Sequence, residues 1–459
     1  MKNALPAAQR TQRARFCALS AVLLCLSCSA SAADQFEPIR RSIEQQLIER
    51  RVPSIAVAVA KGDRIIWEAG FGWADREGRI PASAHTMYSL ASVSKPLTAT
   101  ALMTLVKAGK ISLDKPINDY LGSAKLDARI GDVNDATVRR VANHSSGLPE
   151  HYQFFYENEP WHRPSIDETI LRYGLLMTPP GETYQYSNLG YGILSSVISR
   201  VSGKPFADYM REEVFLPLGM THSSVAVEPS LSAYVAVRYG RDGLPIPQYE
   251  TTHDGASAIY ASAHDLIRFG MFHLKAHLSD QTAILSDELL DAMHAPTVSE
   301  GDDKGYGVGW ETRPVSGYLL LMHDGDMPGV RTELRLVPSE RLVVVVLCNA
   351  EDRLAPIVAD EIMQAMLREW KPPNVSSSTP RPAFVPPPEL IGVWKGDVST
   401  FASKIPITVR VRDSGDVQVE LADQLTSLLN FARFTPGGFL RGITTGDLGI
   451  EDGVRRPYV

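Results

Sequence analysis

Strand-like segments stand at both ends of a long stretch of helix and loop, and this arrangement constrains the fold most. Near the start, Ser54-Ile55-Ala56-Val57-Ala58-Val59-Ala60, a turn at Gly62-Asp63 and Arg64-Ile65-Ile66-Trp67-Glu68 predict an antiparallel hairpin with small residues on one face. Just before it, Phe36, Ile39, Ile43 and Leu47 recur at helical spacing, and Pro53 ends that element. Residues 90 to 300 read mostly as helix and loop. Strand patterns return at Leu319 to Met322, Leu334 to Val337 and Leu342 to Leu347, followed by a helix over Ala355 to Trp370. Early strands, central helices and late strands imply one sheet closed by both ends of the chain. The expected class is α+β: an antiparallel sheet flanked by helices, with an inserted helical subdomain.

A chain of 459 residues exceeds the usual single-domain range. Lys2, Arg10, Arg13 and Arg15 precede an apolar run from Phe16 to Leu26 and then Ser29-Ala30-Ser31-Ala32-Ala33, the order of blocks in a secretory signal peptide. Residues 1–33 are therefore read as a leader, and the protein as exported, periplasmic or secreted. The apolar run is too short to span a bilayer, which takes roughly 20 apolar residues, so no transmembrane helix is expected in the mature chain. Cys17, Cys25 and Cys28 fall in the leader, which leaves Cys348 without an internal disulfide partner. Cys28 after Ser27 is a candidate lipidation site, against which Cys25 stands where an aliphatic residue is normally found.

Residues 34–370 form the expected main unit, and the Pro/Ser-rich stretch 371–389 reads as an extended linker. Beyond it, over 390–459, Ile407, Val409 and Val411 alternate with polar residues, Ser414-Gly415-Asp416 turns, and Val417, Val419 and Leu421 resume the alternation. This predicts a small β-rich C-terminal domain. Its Gly392-Val393-Trp394-Lys395-Gly396 opening resembles the first strand of lipocalin-like domains, with Trp394 expected as a core anchor. A net charge of −7 with no long basic run argues against a nucleic-acid partner.

The chemistry has to come from few patterns. There is no Gly-x-Ser-x-Gly elbow, no phosphate loop and no His-Glu-x-x-His helix. His273 and His277 lie four apart, with no acidic residue placed beside them as in a zinc protease, and read as a solvated helix face. Ser-x-x-Lys occurs as Ser92-Val93-Ser94-Lys95 and as Ser112-Leu113-Asp114-Lys115. Pro116 disfavours helix at Lys115, whereas Ser92 opens an apolar run through Leu97, Ala101 and Leu105. Ser92 is thus expected at a helix N-terminus with Lys95 on the same face. A serine hydroxyl needs a base, and a buried amine has its pKa lowered towards that task. Tyr-x-Asn and His-Asp-Gly also occur twice. Tyr186-Ser187-Asn188 leads into a helix over Ile193 to Arg200, while Tyr156-Glu157-Asn158 lies in a polar loop. His323-Asp324-Gly325 follows a strand-like run, and His253-Asp254-Gly255 does not.

The ordered set Ser92-x-x-Lys95, Tyr186-Ser187-Asn188 and His323-Asp324-Gly325 resembles the three active-site motifs of the class C β-lactamase family, which includes DD-peptidases, D-aminopeptidases and esterases. Asn143-His144-Ser145-Ser146-Gly147, Tyr306-Gly307-Val308-Gly309-Trp310 and Met327-Pro328-Gly329 agree with it. The resemblance implies the β-lactamase/transpeptidase fold and an acyl-enzyme at Ser92. It implies Tyr186 as general base, its phenol pKa lowered by the Lys95 ammonium, and Asn188 as orienter of substrate and Lys95. The backbone N–H groups of Ser92 and Asp326 would hold the oxyanion. The third motif departs from the Lys-Thr-Gly usual in β-lactamases. If Asp324 faces the cleft it repels a substrate carboxylate, but strand alternation leaves its direction open. The expected function is an esterase or amidase/peptidase acting on a small acyl or peptide substrate, with a β-lactamase or DD-carboxypeptidase as alternative. A non-turnover penicillin-binding or sensor module is the alternative from another class. Neither metal nor cofactor is called for, and partner proteins are not readable.

Overall fold

The computed structural model describes residues 35–276, 278–301, 303–372, 383–434 and 438–449. The leader, His277 and the linker residues 373–382 lie outside the described residues.

A nine-stranded antiparallel sheet forms the centre. Its strands are β1 (Ser54–Lys61), β2 (Arg64–Asp75), β3 (Ile80–Pro81), β4 (Val298–Gly301), β5 (Lys304–Tyr306), β6 (Glu311–Val315), β7 (Tyr318–Met327), β8 (Val330–Val337) and β9 (Leu342–Cys348). Their spatial order is β4-β5-β6-β7-β8-β9-β1-β2-β3, so the early hairpin joins the late strands through β1 and β9. Val57 pairs with Val346 and Val59 with Val344. The five main helices are α1 (Glu37–Arg50), α2 (Ser94–Lys107), α3 (Asn188–Ser202), α4 (Ala263–His273) and α5 (Leu354–Met366).

The period-2 pattern of β1 decides which layer packs where. Ile55, Val57 and Val59 point to one face, where Ile39, Ile43 and Leu47 of α1 and Leu354, Val358 and Ile362 of α5 cover them. Ala56, Ala58 and Ala60 point to the other face, into the core shared with α2, α3 and α4. Small side chains let helices approach closely there. A Cβ on Gly270 of α4 would lie 2.4 Å from Val343 Cγ1 of β9. The inserted helical region hangs from this face, and α2 is its axis: from Ser94 to Leu105 nearly every residue is buried, which a helix apolar all round requires.

A three-stranded sheet, Met87–Ser89 beside Ile259–Ser262 beside Ser223–Val225, leads from the main sheet into α2. The C-terminal segments Gly392–Ser399, Lys404–Val411, Val417–Leu421 and Ser427–Leu428 form a separate four-stranded sheet. Trp394 is not a core anchor of it: the side chain is half exposed and its Nε1 donates to Leu390 O at 2.9 Å. His273 likewise is not on a solvated face but buried. Among the described residues no helix is long and apolar enough to cross a membrane.

Candidate active site

Ser92 lies in a 3₁₀ turn, Ala91–Val93, that runs into α2 at Ser94, so the regular helix begins two residues later than the sequence suggests. Its hydroxyl does not cap the helix. It lies 3.1 Å from Lys95 Nζ, within hydrogen-bond reach, and accepts from Tyr186 Oη at 2.9 Å. Ala91 just before it has φ of +48°, a left-handed conformation costing a non-glycine residue about 1–3 kcal/mol. Strand β7 holds the turn in place. A Cβ on Gly325 would lie 2.3 Å from Leu90 O and 3.0 Å from Ala91 Cβ, so only glycine lets the strand lie against the serine turn.

Lys95 is fully buried, and its other contacts are Asn188 Oδ1 at 2.8 Å and Ala256 O at 3.3 Å. Both oxygens can only accept. Each takes an N–H of Lys95, which fixes the direction in which the amine meets Ser92 Oγ. Burial holds the Lys95 amine well below its ordinary pKa, against the attraction of Glu150 and Asp324. Burial also pushes the Tyr186 phenol well up, against its hydrogen bond to Ser92. The expected lowering of Tyr186 by a lysine ammonium is therefore reversed, because removing both groups from water favours the uncharged form of each.

Tyr186 and Asn188 are aimed from the start of α3. Ser187 caps that helix, its Oγ accepting from Gly190 N at 3.0 Å and donating to Pro149 O at 2.6 Å. Its own N–H donates to His144 Nδ1 at 3.0 Å, and the His144 ring lies 4.4 Å from that of Tyr186. The loop Asn143 to Pro149 thus cradles the motif from behind. Ala256, which holds Lys95, follows His253-Asp254-Gly255, the copy of the third motif that does not follow a strand.

In the other copy, His323 Nδ1 donates to Asp324 O at 2.8 Å, since a carbonyl only accepts, and Nε2 therefore accepts from Tyr306 Oη at 2.9 Å. Burial lowers the His323 pKa to about 4, so the ring is neutral near pH 7 and supplies no fixed positive charge. Asp324 and Asp326 both border the cleft, and Arg331 on β8 reaches them at 3.0 and 3.4 Å. The cleft has a volume of about 420 Å³ and brings together Ser92, Tyr186, Asn188, His323, Asp324 and Asp326. Glu150, Tyr152, Tyr184, Tyr306 and Glu311 complete its wall and were not singled out as site residues from sequence. Tyr306 had a signal in Tyr306-Gly307-Val308-Gly309-Trp310, and Glu150 directly follows the loop Asn143 to Pro149. Glu311 had none. Beside the cleft lies a cavity of about 620 Å³ lined by Phe155, Trp161, Arg163, Tyr249 and Met327, and Tyr152 Oη touches Met327 Sδ between the two. Arg441 from the C-terminal strands donates to Gln185, the residue before Tyr186.

The family model described as Beta-lactamase matches residues 39–366. A penicillin-binding protein of Bacillus subtilis is 26% identical over 64% of this chain and 68% of its own length. The protein named Unguisins hydrolase from Aspergillus campestris is 27% identical over 67% of this chain, which spans 60% of that relative's length. Among solved structures, the octameric penicillin-binding protein homologue from Pyrococcus abyssi superposes with a TM-score of 0.63 at 22% identity, covering 89% of this chain and 93% of that one. The class C β-lactamase from Rhodobacter sphaeroides gives 0.59 at 23% identity, covering 72% and 96%. These superpositions show a shared fold.

Proposed function

The chain belongs to the beta-lactamase family, and from that premise we propose that it is a serine hydrolase that forms an acyl-enzyme at Ser92, on neutral or amine-bearing esters and amides. The observation that carries this reading is the Ser92 hydroxyl held between Lys95 Nζ and Tyr186 Oη at the foot of an acid-lined cleft. Ser92 Oγ attacks the acyl carbon, and its proton passes to the neutral Lys95 amine. The tetrahedral oxyanion rests on the N–H groups of Ser92 and Asp326. On collapse, the leaving group takes back the proton that Lys95 received, with the Tyr186 hydroxyl beside it, and the amine returns to its starting state. Water then repeats the sequence on the acyl-enzyme. His323, as a neutral ring, positions Tyr306 and the strand edge rather than binding a carboxylate. Glu150, Glu311, Asp324 and Asp326 set an acidic field that disfavours anionic substrates and favours a substrate ammonium.

The relative named a penicillin-binding protein and the one named a hydrolase support acyl-serine chemistry in this family. The test is a panel of short-chain aryl esters, D-amino acid amides, D-alanyl-D-alanine peptides and β-lactams. Wild type should turn over the first two classes best, and Ser92→Ala should lose at least about 1,000-fold in kcat/KM. Full activity in Ser92→Ala would overturn the assignment. A Ser92 adduct that persists for hours in mass spectra would point to a non-turnover binding module instead.

A further inference from the structure

Outside the Ser92 cleft, three side chains from three separate elements converge. Glu68 projects from β2, His85 from the turn before Met87–Ser89, and His264 from the first turn of α4. Their donor atoms all lie within 4.8 Å of one another, and His264 Nδ1 is 2.9 Å from Glu68 Oε2. The His85 and His264 rings are 4.7 Å apart, and a fourth imidazole, His222, stands 5.4 Å from His85. None of the four lines the catalytic cleft. The backbone that presents them is tied down. Ser83 N donates to Thr86 Oγ1 at 2.9 Å, His85 N to Ser83 Oγ at 3.2 Å, and His264 N to Ala84 O at 3.0 Å. The turn and the helix start therefore hold a fixed relation.

We propose that Glu68, His85 and His264 form a binding site for a divalent transition-metal ion, with Zn²⁺ as the fitting occupant. Two imidazoles and one carboxylate are a borderline-soft donor set of the kind zinc takes, and they offer too few oxygens for Ca²⁺ or Mg²⁺. Zinc ligands at roughly 2.0–2.2 Å in a tetrahedron lie about 3.4 Å from each other, so the 2.9 Å His264–Glu68 pair has to open by about 0.5 Å and the exposed His85 side chain has to close in. The fourth position is open to water or to His222, whose Nδ1 meets Thr221 Oγ1 at 3.2 Å. The ion would clamp β2, the 83–86 turn and α4 together. Strand Met87–Ser89 runs from that turn to the turn carrying Ser92, so the clamp braces the base on which the nucleophile stands. Glu68 and His264 are 196 residues apart in sequence, which is why no local metal pattern marks the site.

The experiment uses the full mature chain without a polyhistidine tag, stripped with chelator, and reads Zn²⁺ alone by competition with a chromophoric chelator and by thermal unfolding. Wild type should bind a single Zn²⁺ and gain Tm as free Zn²⁺ rises above Kd. His85→Ala, at an exposed position, and His264→Ala should each weaken binding about 10-fold or more while keeping the metal-free Tm of His85→Ala at the wild-type value. No stoichiometric binding by wild type, or undiminished binding by the His85→Ala/His264→Ala double variant, would overturn the proposal and leave Glu68 and His264 as an ordinary ion pair.

Discussion

At Asp324 the proposed charge preference of the cleft is open to test on a single carboxylate. It borders the cleft and is held by Arg331 at 3.0 Å rather than turned away by strand alternation. Pairing damps its field without removing it, since Arg331 is shared with Asp326 and the Asp324 side chain is 39% exposed. Asp324→Asn should raise kcat/KM for carboxylate-bearing substrates about 3- to 10-fold relative to neutral esters, the effect of removing roughly 1 kcal/mol of repulsion at a partly exposed site. Steady-state kinetics on a matched pair of substrates reads that ratio, and an unchanged ratio would mean that the other acids of the wall set the preference. Lys95 stands at the opposite extreme of burial. Its two acceptor-only partners fix how its Nζ is aimed at Ser92 Oγ, so its role depends on Asn188 and Ala256 as much as on its own chemistry.

Between elements, buried histidines act as joints. His273 on α4 contacts His294, at the end of the helix Asp287–His294, at 3.0 Å, and its Nε2 meets Thr100 Oγ1 of α2 at 3.0 Å. Burial holds the His294 pKa at about 4, below its ordinary 6.5. A depressed folded-state pKa means that this contribution to stability is intact above pH 6.5 and is lost as pH falls through about 4, because the unfolded chain takes up the proton first. His294→Gln should lower Tm at pH 7, through a hydrogen bond worth about 1 kcal/mol. It should also make the further drop from pH 7 to pH 5 smaller than in wild type, by up to about 1.4 kcal/mol per pH unit. Calorimetry at both pH values checks it; an equal or steeper drop in the variant would refute the assignment. The same scale explains what was legible in the sequence. Strands and helices with strong periodicity, such as Ser54–Lys61 and Leu354–Met366, were readable, as was the pairing of early with late strands. Ser92, Lys95, Tyr186, Asn188 and the His323 segment were readable as motifs because local spacing presents them. Glu311, Tyr184 and the Ala256 carbonyl were not, since packing between distant elements alone brings them to the cleft. Burial reversed the expected direction for Tyr186 because sequence does not report how completely water is excluded.

The molecule as a whole is held by contacts between its two ends. The Ser54 N–H donates to Asn349 Oδ1 at 2.9 Å across 295 residues, and Ser42 Oγ of α1 donates to Glu361 Oε1 of α5 at 2.9 Å. β9 sits between β8 and β1, with every residue buried, so its loss would split the sheet and open both cores. A chain ending at Glu340 should show no cooperative thermal transition, whereas one ending at Pro372 should keep a single transition. Far-UV circular dichroism melts separate these outcomes, and cooperative melting of the shorter chain would show that the two ends matter less than the register implies. The pairing of β1 with β9 also sets a timetable. With synthesis at about 5–20 residues per second, β1 leaves the ribosome roughly 15 to 60 seconds before its neighbour exists. For that interval Ile55, Val57 and Val59 belong to a hairpin with one open edge and no α5 to cover it. The strand made early waits for the strand made late, and during that wait it is the segment a chaperone would have most reason to hold.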